Sequence, residues 1–132
     1  MINKLKEDIG VSAFFIGITF SLFLGIYSSS NDLNKLLILY GFTIISGFIT
    51  GILNLNEKKL NNYLIASTAL LVSIIIFNSF LANLQLLYLQ INKSPFFIET
   101  IKNILYSLAL FISSSTIFPA LKRVLKLLEQ EK

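Results

Sequence analysis

Few side chains in this sequence could do chemistry, and they are scattered. Acid–base and nucleophilic catalysis need His, Cys, Asp, Glu, Lys or Tyr held beside a reacting group. The chain has no His and no Cys. It therefore lacks the usual zinc ligands, the thiolates of an iron–sulfur cluster and the common axial ligands of haem. Its acidic residues, Glu7, Asp8, Asp32, Glu57, Glu99, Glu129 and Glu131, all lie at the margins of long apolar stretches. Within those stretches only hydroxyls, amides and tyrosines remain, with nothing to activate them. The sequence assigns no catalytic, cofactor-binding or metal-binding residue and predicts a protein that is not an enzyme.

The polar groups that do fall within apolar sequence have structural readings. Asn78 and Gln85 lie seven residues apart, two turns along one helix face, where amides hydrogen-bond across to a neighbouring helix. The alternative is a polar substrate path, which Asn83 and Gln90 do not extend. Ser113, Ser114, Ser115 and Thr116 precede Pro119. Proline lacks an amide donor and frees the carbonyl four residues back, here that of Ser115. Nearby hydroxyls can repair such a gap, and four in succession wrap the helix instead of lining one pore-facing stripe. Glu99 and Lys102, three residues apart, are spaced to pair on one helix face and to anchor its depth at a membrane boundary. A cation- or proton-coupled site at Glu99 is the other reading.

The elements that position these residues are four stretches free of ionisable side chains, residues 9–31, 36–56, 60–92 and 103–121. Crossing the ~30 Å hydrocarbon core takes about 20 mostly apolar residues, and backbone groups in lipid must pair within the segment, which favours helices. The expected fold is all-α, an integral membrane bundle of four transmembrane helices over residues 9–27, 36–55, 63–82 and 98–121. A C-terminal amphipathic basic helix follows, and residues 1–132 form one domain. The first apolar run is longer than a secretory signal's hydrophobic region and follows acidic residues, so it is read as a span. Residues 28–35 and 56–62 form polar turns, and connections this short predict that successive helices pack antiparallel and in contact. Residues 83–92 are too polar to lie wholly in lipid, and Lys93, Ser94 and Pro95 end the third helix.

Two further patterns concern contact. Ala13, Gly17, Ser21 and Gly25 put a small residue at every fourth position of the first span, and Thr43, Gly47 and Gly51 repeat the device in the second. The third and fourth spans offer Ala69 with Ser73 and Ala109 with Ser113. Such faces let helix backbones approach closely, either inside the bundle or against another subunit. The tail sets Leu121, Val124, Leu125 and Leu128 against Lys122, Arg123, Lys126 and Glu129, a pattern suited to the lipid interface or to a partner's surface.

Composition agrees with a membrane protein. The chain is 55% hydrophobic and 14% charged, with a mean hydropathy of +0.75, whereas soluble domains carry about 25% charged residues. The net charge of +4 comes from Lys and Arg at span ends, where lipid headgroups sit, so no nucleic-acid partner is expected. Eight basic residues fall on the side of both termini and three on the other, which predicts both termini cytoplasmic. The length and the four short-looped spans are similar to the small multidrug resistance exporters, but the embedded glutamate of their first span has no counterpart here. The expected partners are the lipid bilayer and other membrane subunits or a second copy. The expected role is a structural or accessory subunit acting through its small-residue faces. A small oligomeric transporter, channel or holin-like pore is the alternative.

Overall fold

The computed structural model describes residues 1–28, 32–53, 59–90 and 96–131. These form four helices and no strand: α1 Ile2–Tyr27, α2 Leu33–Leu53, α3 Leu60–Gln90 and α4 Phe96–Gln130. Each contains a segment long and apolar enough to cross a membrane. The expected all-α architecture of four membrane-length helices is present. Lys93, Ser94, Pro95, Glu57, Lys58 and the Ser29–Ser30 part of the first turn lie outside the described residues.

The helices outrun the expected spans, because charged and amide side chains end an apolar run without ending a helix. α1 begins at Ile2, seven residues before the expected start, and α3 continues through the Asn- and Gln-containing segment to Gln90. α2 starts at Leu33, inside the expected turn. The Leu36 N–H donates to the Asp32 carbonyl at 2.9 Å, and Asp32 pairs with Lys35 across this first turn at 3.4 Å. α4 runs unbroken for 35 residues with Pro119 inside it.

α4 is the hub. It packs against α1, α2 and α3, while α1 also packs against α2. The expectation that α2 and α3 are close-packed neighbours is not met, since α3 leans chiefly on α4. Glycine chemistry accounts for the difference. Gly47 of α2 faces Ser114 and the Phe111 carbonyl, and Gly51 faces Ser115 and Pro119, so α2 lies parallel to α4. Gly17 of α1 faces Phe111 and Gly25 faces Ile104, so α1 runs antiparallel to α4. A glycine face allows this approach, whereas a short loop only keeps two helices within reach.

The interior is small and rich in hydroxyls. Phe111, at 0% exposure, is the largest fully buried side chain, and Thr43, Thr50, Ser21, Ser107 and Ser115 are buried with it. Large aliphatic and aromatic side chains such as Phe15, Phe23, Ile76 and Phe80 point outward. That distribution inverts a water-soluble helical domain, whose apolar stripe faces the core.

Candidate functional site

The intimate contacts converge on one stretch of α4, residues 104–119. Phe111 fills the notch left by Gly17, and its ring lies 5.8 Å from that of Phe14. A methyl group on Gly17 would collide with this ring, and one on Gly25 would lie 2.6 Å from the Ile104 nitrogen. At Gly47 it would lie 2.8 Å from the Phe111 carbonyl oxygen, and at Gly51 it would strike the Ser115 carbonyl. Of the first-span ladder, Gly17, Ser21 and Gly25 are buried and Ala13 is half-buried. The small-residue faces of α1 and α2 are thus occupied inside the chain. Of the two readings of these faces, packing inside the bundle or contact with another subunit, the contacts within the chain follow the first. Ala69 and Ser73 of α3 remain exposed.

The hydroxyl run beside the proline turns back on its own helix. Ser114 donates to the Phe111 carbonyl at 2.9 Å, Ser115 to Ile112 at 2.8 Å and Thr116 to Ser113 at 2.8 Å. Ser113 donates to Ala109 at 2.5 Å. One partner comes from another helix. The Tyr63 hydroxyl donates to Ser115 Oγ at 2.7 Å and lies 3.5 Å from the Ser115 carbonyl, the group that Pro119 leaves without an amide donor. A relay therefore runs from Tyr63 through Ser115 to the backbone of Ile112. Sequence reasoning missed Tyr63, which reads as an aromatic at the end of a span. The available signal was its four-residue spacing from Ser67, which is buried on the same helix face.

The amides behave differently from one another. Gln85 Oε1 accepts from Lys102 Nζ at 2.9 Å, which ties α3 to α4. The expected Glu99–Lys102 pair does not form: Glu99 is exposed, and the half-buried Lys102 turns towards α3. The amide offers that ammonium a sheltered acceptor, whereas Glu99 points away into the surroundings. Asn78 does not show the expected bond through its oxygen either, since its buried Oδ1 has no hydrogen-bond partner. An amide oxygen enclosed by apolar helices has few donors within reach, because backbone N–H groups there are already paired along the helices.

The tail sorts its two faces within the single chain. It continues α4, and Lys122, Arg123 and Lys126 are half-buried while Leu121, Val124, Leu125 and Leu128 are exposed. Between α1 and α2, two apolar grooves of about 510 and 480 Å³ meet at Phe20 and Leu39. Lys35 is the charged residue at the rim of the larger one. Among the described residues no group of three or more acidic side chains is placed to hold a metal ion. The chain matches no known family, no curated protein and no solved structure.

The chemical capacity of this arrangement is cohesion. Buried hydroxyls satisfy carbonyls, glycines admit close neighbours, and the Tyr63–Ser115 and Gln85–Lys102 bonds hold α3 against α4.

Proposed function

We propose that the protein is a non-catalytic, four-span integral membrane bundle that serves as a structural or accessory subunit of a larger membrane assembly. The observation that carries this reading is the use of the interior polar groups. The hydroxyls of Ser114, Ser115, Thr116 and Tyr63 are committed to bonds within the chain, which leaves no stripe of free hydroxyls along this part of α4 for a translocated solute. The basic end of α4 forms the amphipathic C-terminal part of the bundle. With the faces of α1 and α2 occupied internally, assembly partners meet the outer apolar surface. α3 is the natural contact, because it has a single main packing partner and exposes Ile65, Val72 and Ile76.

Both termini face the cytoplasm in this reading, following the excess of Lys and Arg at that end. Single cysteines at exposed Lys59 and Asn34 test it, since the natural chain has none. Lys59→Cys is expected to resist, and Asn34→Cys to accept, an impermeant thiol reagent added outside intact cells. The reverse pattern would overturn the orientation.

The rival reading is a small transporter or pore, favoured by the unpartnered Asn78 oxygen, two turns along α3 from Gln85. Liposomes holding the purified protein are expected to pass ions and small organic cations no faster than protein-free liposomes. Flux that changes with Asn78→Leu or Glu99→Gln would make the subunit reading wrong.

A further inference from the structure

Two helices seated on a third leave a cleft between them. The glycine faces of α1 and α2 both turn towards α4, and among the described residues α1 and α2 alone line the cleft. Leu24 and Gly17 are buried on its floor, while Phe20, Phe23 and Ile38 stand exposed along its walls. Its two grooves, of about 510 and 480 Å³, share Phe20 and Leu39 and form one channel. That channel runs from Tyr27 and Lys35 at one end to Ile16 and Ser46 at the other. On each helix these ends are eleven residues apart, about 16 Å at 1.5 Å per residue. One leaflet of a ~30 Å hydrocarbon core is about 15 Å deep. Tyr27 closes the Asp8–Tyr27 span and Ile16 lies near its middle, so the channel descends from the membrane surface to the midplane.

The shape and charge of the channel say what fits it. Helices associate in lipid through small residues that let backbones approach, whereas walls of Phe and Ile hold a helix off and admit a slender chain. Ser46, the polar residue at the inner end, already donates to the Thr43 carbonyl at 2.8 Å. Lys35 is the charged residue of the lining and stands at the outer end. It pairs with Asp32 at 3.4 Å, yet the two side chains are 66% and 52% exposed, so each has room for a second partner. Exposed pairs of this kind hold weakly. A cation and an anion side by side match a headgroup that carries both charges. A phosphate accepts from the Lys35 ammonium, and a primary ammonium donates to the Asp32 carboxylate. A choline group has no N–H to donate, and a purely anionic headgroup meets Asp32 with like charge.

We infer that the α1–α2 cleft is a phospholipid site: one acyl chain lies along it from Tyr27 to Ile16, and Lys35 and Asp32 hold an ethanolamine headgroup at its mouth. The acyl chain exchanges one apolar surrounding for another, so its own contacts select little, and the headgroup supplies the preference. The bound lipid completes a contact between α1 and α2 that packing on α4 leaves open. The site rests on the membrane reading alone. Flux through the isolated protein would remove the subunit reading and leave the lipid site untouched.

The chain has no Trp, so one introduced indole reports on a single place. Phe23→Trp sets it on the cleft wall, and Phe80→Trp sets it on the exposed outer side of α3. The Gly25–Ile104 and Gln85–Lys102 contacts bring both to the same depth, about that of Tyr106. The full-length variants are placed in phosphatidylcholine vesicles with a minority of phosphatidylethanolamine, either lipid carrying brominated, quenching chains. Quenching of Phe23→Trp should give phosphatidylethanolamine an association constant about two- to fivefold above phosphatidylcholine, the scale of an exposed ionic contact. Phe80→Trp should not distinguish the two lipids. Lys35→Gln, added to Phe23→Trp, should abolish the preference, and Asp32→Asn should transfer it to brominated phosphatidylglycerol. Neither change should alter helix content, since both side chains are exposed and Asn caps a helix as well as Asp. No preference at Phe23→Trp, the same preference at Phe80→Trp, or a preference that survives Lys35→Gln would each overturn the proposal. So would loss of all lipid quenching at Phe23→Trp as protein is concentrated in the membrane, which would put a second copy in the cleft. A chain that fails to float with the vesicles would remove the membrane reading and the site with it, a result distinct from unselective quenching of an inserted chain.

Discussion

Gly51→Ala and Gly41→Ala make the same chemical change on the same helix and should have opposite effects. A methyl on Gly51 would meet the Ser115 carbonyl oxygen, with the carbonyl carbon at 3.1 Å and Pro119 Cδ at 3.4 Å. Backbone atoms cannot rotate aside, so α2 must shift off α4. A methyl on Gly41 would meet nothing within 4 Å. Both replacements gain the same helix propensity, about 0.8–1 kcal/mol, which cancels when the two are compared. Overpacking a close contact costs about 1–3 kcal/mol. Gly51→Ala should therefore be about 1–3 kcal/mol less stable than Gly41→Ala, and Gly41→Ala at least as stable as the natural chain. Gly25→Ala should behave like Gly51→Ala, because its obstacle includes the Ile104 nitrogen at 2.6 Å. Denaturant titration in mild detergent, followed by circular dichroism, gives the ordering. If Gly25→Ala and Gly51→Ala unfold together with Gly41→Ala, the helix pairing described above is wrong.

Tyr63→Phe removes the inter-helix bond to Ser115 and should cost about 0.6–1.7 kcal/mol, the range for hydrogen bonds between membrane helices. Ser115→Ala should add little to it in the double variant, and fully additive losses would show that the two do not act as a pair. Asn78→Leu should leave stability unchanged or raise it by up to about 1–3 kcal/mol, the usual cost of a buried unsatisfied polar group. A clear loss in the same titration would mean that Asn78 has a partner after all.

The helices were legible because lipid-length apolar runs leave the backbone few other options, but their packing was not. Loop length implied an α2–α3 pair, whereas the glycines of α2 put it on α4. The sequence displays the small faces at Gly17, Gly25, Gly47 and Gly51 without saying which helix receives them. The receiver is recognisable afterwards, since Phe111 matches the notch at Gly17 and the Ser114–Ser115 pair is narrow enough to admit Gly47 and Gly51. Tyr63 was invisible for a related reason. Its partner lies 52 residues away, and only the helix arrangement brings the two together. The Glu99–Lys102 expectation failed because helical spacing permits a pair without compelling it, and a half-buried ammonium found an amide first.

Close packing explains the serines, threonines and glycines, but it does not explain Asn78 or Lys102. A leucine would fill the Asn78 site without enclosing an unpaired carboxamide oxygen, and burying an ammonium beside a neutral amide sacrifices hydration for one bond. Lys102 lies where α3 meets α4, Asn78 belongs to α3, and α3 is the helix with the least of its span buried. A loosely held helix whose contact retains polar groups can part from its neighbour at lower cost than one locked by glycines, as α1 and α2 are. Any activity beyond cohesion should therefore reside at the α3–α4 contact. That is why Asn78→Leu carries weight in both assays. A variant that gains stability and shows no flux assigns Asn78 to neither folding nor conduction.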